Sequence, residues 1–139
     1  MNGTKGYQYV ALRCVPRVER EEFVNVGVVL FCEEDDFLGS AFHLDEDRLH
    51  ALALGVDVEA VRSALEAVDR VCRGEAHVDF GVSTRATAYG SREEVDDPSA
   101  RFGFLRAPRS TVVQPGPVHG GLTDDPAAEL QRLLQVLVG

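Results

Sequence analysis

"FVNVGVVLFC", residues 23–32, decides the fold. It is apolar except at Asn25, and valine recurs at 24, 26, 28 and 29. A strand with one face in water alternates, whereas an almost continuously apolar run rich in β-branched residues predicts a central strand buried on both faces. Gly27 in its interior predicts a bulge or the close approach of another backbone. Upstream, "YQYVALRCV" (7–15) alternates Val10, Leu12 and Cys14 against Tyr9, Ala11 and Arg13, the period of a strand. Pro16 ends it, because proline cannot donate to the ladder. "VEREE" (18–22) has room for a single turn. Downstream, "EEDD" (33–36) is a solvated turn, and "FLGSAFHL" (37–44) returns as an antiparallel partner.

Two helices follow. Asp45 caps the first, with Glu46 and Asp47 opposing the positive end of its dipole, Leu44 and Leu49 at staple positions, and Gly55 placed to close it in a left-handed conformation. Asp57 repeats the arrangement, with Val56 and Val61 as the staple. Val58, Val61, Leu65, Val68 and Cys72 mark one face until Gly74. In the next segment "HVDFGV" reads as a strand and "SREEVDD" as a polar loop. "PSARFGFL" (98–105) reads as a short helix with Pro98 in its first turn, and "STVVQ" as a further strand. The last helix starts at Asp125-Pro126 and carries Leu130, Leu133, Leu134 and Leu137 on one stripe. The expected architecture is α+β: a flexible N-terminus at 1–6, then a single domain at 7–139. That domain holds an antiparallel sheet of about four strands with three main helices packed on it.

A chain of 139 residues fits one domain and needs neither metal nor disulfide to fold. The formal net charge of −9 argues against nucleic acid, which is bound through cations neutralising phosphates. Cys14, Cys32 and Cys72 are odd in number, widely spaced and set in apolar runs, the pattern of buried free thiols in a reducing compartment. No segment approaches the length of a membrane span and none at the N-terminus resembles an export signal, so the expected location is cytoplasmic.

The stretch with the most site-like composition is "RSTVVQPGPVHGGLTDDPAAEL" (110–131). Gly116, Gly121 and Thr123 fall in the register of a phosphate-binding loop, but Leu122 stands where the lysine belongs, and Asp124 and Asp125 follow where phosphate would sit. That reading is rejected. His119 is the candidate general acid or base, near Arg109, Ser110, Thr111 and Asp124 in sequence. Such a role needs an orienting partner and a pocket, and an ordered turn pinned by the histidine is the favoured alternative. "HLDEDRLH" (43–50) could converge metal ligands, but capping by Asp45 and dipole complementation by Glu46 and Asp47 explain it better. No metal and no cofactor are expected. Between Asp97 and Asp124 there is no acid, while Arg101, Arg106 and Arg109 alternate with Phe102 and Phe104. This segment either stacks and forks onto phosphate or carboxylate, or buries its phenylalanines and pairs its arginines with acids of the chain.

"YQYVALRCVPRVEREEFVNVGVVLFC", "RFGFLRAPRSTVVQPGPVHGGLTDDPAAEL" and the closing Leu-Val run resemble the bacterial family catalogued as domain of unknown function 3037. The resemblance spans nearly the whole chain and is most specific at Phe23 to Val28, Arg101-Phe102, Ala107 through Gln114, and the Asp125-Pro126 helix start. It carries no catalytic residues to transfer. Members are often encoded beside a kinase-like protein of the HipA type, which implies an accessory role with another protein as partner. Arg106, Arg109, Ser110 and Gln114 are the candidate binding residues. The alternative is a small enzyme or anion-binding module acting on a phosphorylated substrate through Arg109 and His119.

Overall fold

The apolar run forms β2 (Val24–Cys32), between β1 (Lys5–Cys14) and β3 (Phe37–Phe42), in a computed structural model that describes residues 3–75, 97–107 and 111–139. Both neighbours are antiparallel to it. Every residue from Val26 to Cys32 is buried, because β2 has a strand on each edge and helices on each face. A 3-10 turn at Val18–Arg20 links β1 to β2. The β2–β3 hairpin turns over Glu33–Asp36, with the Asp36 N–H donating to the Glu33 carbonyl at 3.0 Å and Asp36 itself at φ 52°. Aspartate is among the few side chains that tolerate that left-handed conformation.

Both expectations at Gly27 are met. The β1–β2 register shifts between Leu12 and Arg13, leaving Val26 as the extra residue of a bulge. A Cβ on Gly27 would lie 2.8 Å from the Ala41 carbonyl oxygen and 3.0 Å from Phe42 Cβ. The bulge also resets the facing of β2, so that Val26 joins Val29 and Phe31 in one core while Val28, Leu30 and Cys32 enter the other.

Four helices are described: α1 (Glu46–Leu52), α2 (Val58–Arg73), α3 (Pro98–Leu105) and α4 (Pro126–Leu137). Asp45, Asp57 and Asp125 each accept from the backbone N–H three residues on, and Asp97 does the same for α3. Gly74 closes α2 at φ 73°. Gly55 does not close α1: that helix stops at Leu52, and its cap Ala53 is extended at φ −158°. The chain instead turns at Leu54-Gly55, with the Val56 N–H donating to the Ala53 carbonyl at 3.2 Å, and does so without a left-handed residue.

One core joins Val10, Leu12 and Cys14 of β1 to Leu49 of α1, Val61 and Leu65 of α2, and Phe102 and Leu105 of α3. On the opposite face Leu130 and Leu133 of α4 pack over Val28, Leu30, Cys32 and Tyr7. The sheet therefore lies between a three-helix layer and a single helix. None of the described helices is long and apolar enough to cross a membrane.

The fold is α+β with one antiparallel sheet, as expected, and among the described residues the sheet has five strands where about four were expected. Two strands share the free edge of β1: β4 (Val113–Pro115) pairs with Leu12–Cys14, and β5 (His119–Thr123) with Lys5–Tyr9. Between these ladders Val10 and Ala11 stand opposite residues 116–118, so one extra residue bulges out. The Gly116 N–H donates to the Ala11 carbonyl at 2.8 Å at the start of that bulge, and Pro115 and Pro117 have no N–H to give. In effect β4 and β5 are one strand broken by prolines. "HGGLT", expected as a turn, is a strand because β1 offers a ready edge, which outweighs the weak β-propensity of two glycines. For the same reason β1 begins at Lys5, inside the segment expected to be flexible: Leu122 and Thr123 give its first residues partners. The "HVDFGV" strand and "SREEVDD" loop expected from sequence lie outside the described residues.

Candidate functional site

The structure brings two of the predicted site residues to one sheet face and separates a third. Gln114 on β4 stands opposite Arg13, with its Nε2 donating to the Thr111 carbonyl at 2.8 Å. His119 opens β5 opposite Tyr9, exposed, with the two rings 5.4 Å apart between centroids and tilted by 32°. Among the described residues no side chain hydrogen-bonds to this imidazole, and the ring contact with Tyr9 is what positions it. Arg106 is exposed at the C-terminus of α3, in the three-helix layer across the sheet. Arg109 and Ser110 lie outside the described residues.

Other sequence readings resolve plainly. Phe102 is buried and stacked on Phe31 with centroids 5.3 Å apart, and Phe104 packs against the same core, so these phenylalanines form no stacking platform. Residues 119–123 are committed to the β1 ladder, which agrees with rejecting a phosphate loop. Among the described residues no three His, Cys, Asp or Glu side chains are placed to hold a metal ion.

The face of the sheet toward α4 carries the polar constellation that sequence reasoning missed. Alternation puts Tyr7, Tyr9, Ala11 and Arg13 of β1 on it. Tyr7 is buried, and its hydroxyl donates to Glu129 Oε2 of α4 at 2.5 Å. Glu129 is held in turn by Arg132, whose Nε and Nη2 donate at 2.9 and 2.6 Å. Gly121, opposite Tyr7 on β5, makes room for this: a Cβ there would sit 2.6 Å from the Tyr7 hydroxyl. Burial, and then the adjoining Glu129 carboxylate, push the Tyr7 phenol up to about 12. Arg132 holds the Glu129 carboxyl below the usual range. Tyr7 is thus a neutral donor to a charged acceptor, and the triad clamps α4 to β1 instead of exchanging protons.

Beyond Tyr7, α4 packs over β2 and β3, and among the described residues no helix covers the β1–β4–β5 half of that face. Arg13 lies there. Its Cζ is 4.0 Å from the centroid of the Phe23 ring, and a Cβ on Gly116 would come within 3.1 to 3.2 Å of three guanidinium atoms. Its Nε is sealed from solvent without a hydrogen-bond partner. A buried N–H left unsatisfied costs about 1–3 kcal/mol, so this placement is one the fold sustains against its own stability. No acid among the described residues forms an ion pair with Arg13. The only sequence signal was a lone arginine on the polar side of β1. That Phe23 returns beside it depends on the β1–β2 connection, which spacing does not reveal.

A cleft of about 480 Å³ lies elsewhere, lined by Pro16, Arg17, Arg20, Leu52, Leu54 and Val56. Its arginines are already paired, Arg17 with Glu19 at 3.1 Å and Arg20 with Glu22 at 2.8 Å. No predicted site residue reaches it.

A family described as "Protein of unknown function (DUF3037)" matches residues 9–138. No curated protein and no solved structure matches the chain.

Proposed function

Since the chain belongs to the DUF3037 family, we propose that it is a non-enzymatic bacterial accessory protein that works by binding another protein, a HipA-like kinase being the partner implied by the resemblance. The observation that carries this reading is the half of the α4-side sheet face that no described helix covers. Tyr9 and His119 stand together there, with Arg13 stacked on Phe23 at the far end. Arginine and tyrosine are among the residues that dominate binding energy at protein interfaces, and these ring contacts are in place before any partner arrives. The proposal includes a cytoplasmic location, supported by three free cysteines, all buried, in keeping with a compartment that keeps thiols reduced.

Titration of the protein against the neighbouring kinase-like protein tests it. A combined Tyr9→Ala, His119→Ala variant should weaken the complex by roughly tenfold or more while remaining folded. Arg106→Ala, in the opposite layer, should bind as wild type does. Unchanged binding in the first variant with loss in the second would move the interface to α3.

A further inference from the structure

We propose that Arg13 receives a carboxylate from an acidic, extended peptide segment, in the notch where the residue before β2, the end of β1 and the β4–β5 bulge meet. This deepens the reading above and rests on it in one respect: the carboxylate belongs to a protein.

In a chain of formal charge −9, acids outnumber cations 23 to 14. Arg13, Arg48 and Arg106 form no ion pair among the described residues, and of these three Arg13 alone has its Nε buried without a hydrogen bond. The nearby Arg17, Arg20 and Arg132 are each matched, by Glu19, Glu22 and Glu129. Glu22, the acid next to Phe23 in sequence, is held by two bonds from Arg20 at 2.8 and 3.0 Å. Among the described residues Arg13 has no acid paired with it on this face.

The way the guanidinium is held selects its ligand. The Phe23 ring and the Gly116 backbone lie close against it, and the Nε edge is shut off. With Nε shut off, a ligand would be taken by the two Nη groups, an end-on fork whose two parallel N–H donors match the two oxygens of a planar carboxylate. Because the stack already fixes the fork, little rotamer freedom is lost on binding. A phosphate dianion would need further donors than this fork supplies, whereas one carboxylate needs only the fork.

The rest of the face extends the site to a segment of chain. Tyr9 lies four residues from Arg13 on the same side of β1, about 13 Å away at the rise of a strand, with small Ala11 between. Phe23 is 44% exposed. An extended peptide placing an acid at Arg13 would lay its apolar side chains on Phe23 at one end and Tyr9 with His119 at the other.

Two capped hexapeptides test this, one alternating glutamate with valine and one alternating glutamine with valine. Each is titrated into the full-length protein while the Arg13 Nε–H and Phe23 ring resonances are followed by NMR. The glutamate peptide should shift both saturably, and the glutamine peptide should not. Arg13→Lys keeps the charge but removes the fork, and should weaken binding roughly tenfold. Phe23→Leu, at an exposed position, should weaken it about threefold or more without unfolding the chain. Equal binding of the glutamine peptide, or full binding by Arg13→Lys, overturns the proposal. So does inorganic phosphate at matched ionic strength if it gives the same saturable shifts and displaces the peptide, since the site would then be a general anion site. If the peptide binds as described but the kinase-like protein does not, the carboxylate site stands and the protein-partner reading fails. If that protein binds through Tyr9 and His119 and is indifferent to Arg13→Lys, the carboxylate site alone falls.

Discussion

Gly27→Ala adds one carbon where the fold has no room for it. That carbon would lie 2.8 Å from the Ala41 carbonyl oxygen, about 0.6 Å short of ordinary contact, and 3.0 Å from Phe42 Cβ. The obstructing oxygen belongs to the backbone of β3 and is held in the ladder with β2. It cannot swing aside as the tip of a side chain would, so relief requires the two strands to part locally. Overpacking of this kind costs about 1–3 kcal/mol. Replacing a glycine in a strand interior returns about 0.5–1 kcal/mol of backbone entropy. The net expectation for alanine is a loss of about 1–2 kcal/mol, and Gly27→Val, with two further methyls at the same place, should lose more. In urea, with a slope near 2 kcal/mol per molar, the alanine variant should unfold at a midpoint roughly 0.5–1 M below wild type with the slope unchanged. Gly6→Ala is the control, since nothing stands within 4 Å of a Cβ there. If Gly27→Ala and Gly6→Ala unfold together, close approach of β3 is not the reason for a glycine at 27.

Asp125→Ala removes the acceptor for the Ala128 N–H, 3.2 Å away in the wild type, and should lower stability by about 0.5–2 kcal/mol in the same urea experiment. Alkaline pH should destabilise the fold through two protons it retains: burial pushes both the Tyr7 phenol and the Cys72 thiol up to about 12. The unfolded chain releases these protons near 10 and 9, the ordinary values, so stability is fully present below that range and falls as pH rises toward 12. In denaturant midpoints measured across this window, Tyr7→Phe should flatten the upper part of the slope; a slope unchanged by Tyr7→Phe would show that its hydroxyl titrates as it does in the unfolded chain.

Local signals carried the secondary structure wherever a residue's role depends on its neighbours in the chain. Asp45, Asp57 and Asp125 cap helices because capping joins groups three residues apart. The valines of β2 announce burial on two faces because hydrophobicity without alternation has no other stable use in a strand. Gly74 ends α2 because only the left-handed turn it adopts completes the cap. Gly55 shows the limit of the same logic: a glycine in the right place is permission for a left-handed cap, not a demand for one.

Residues 23–32 and their flanks thus determined, by themselves, an antiparallel sheet with helices packed on it. Tertiary structure alone decided which helices share a face, that "HGGLT" completes the sheet, and where the candidate site lies. His119 joins Tyr9 across 110 residues of sequence, and Glu129 reaches Tyr7 across 122. Arg13 meets Phe23 and Gly116 only after two connections have closed. Composition marked 101–109 as the basic working surface, yet Phe102 was needed in the core and Arg106 went to the far layer with its helix. A cap or a hydrophobic stripe is set by a few adjacent residues and is visible in any window that contains them. A cation left without a counterion is a property of the closed chain, because only folding settles which acids come within reach.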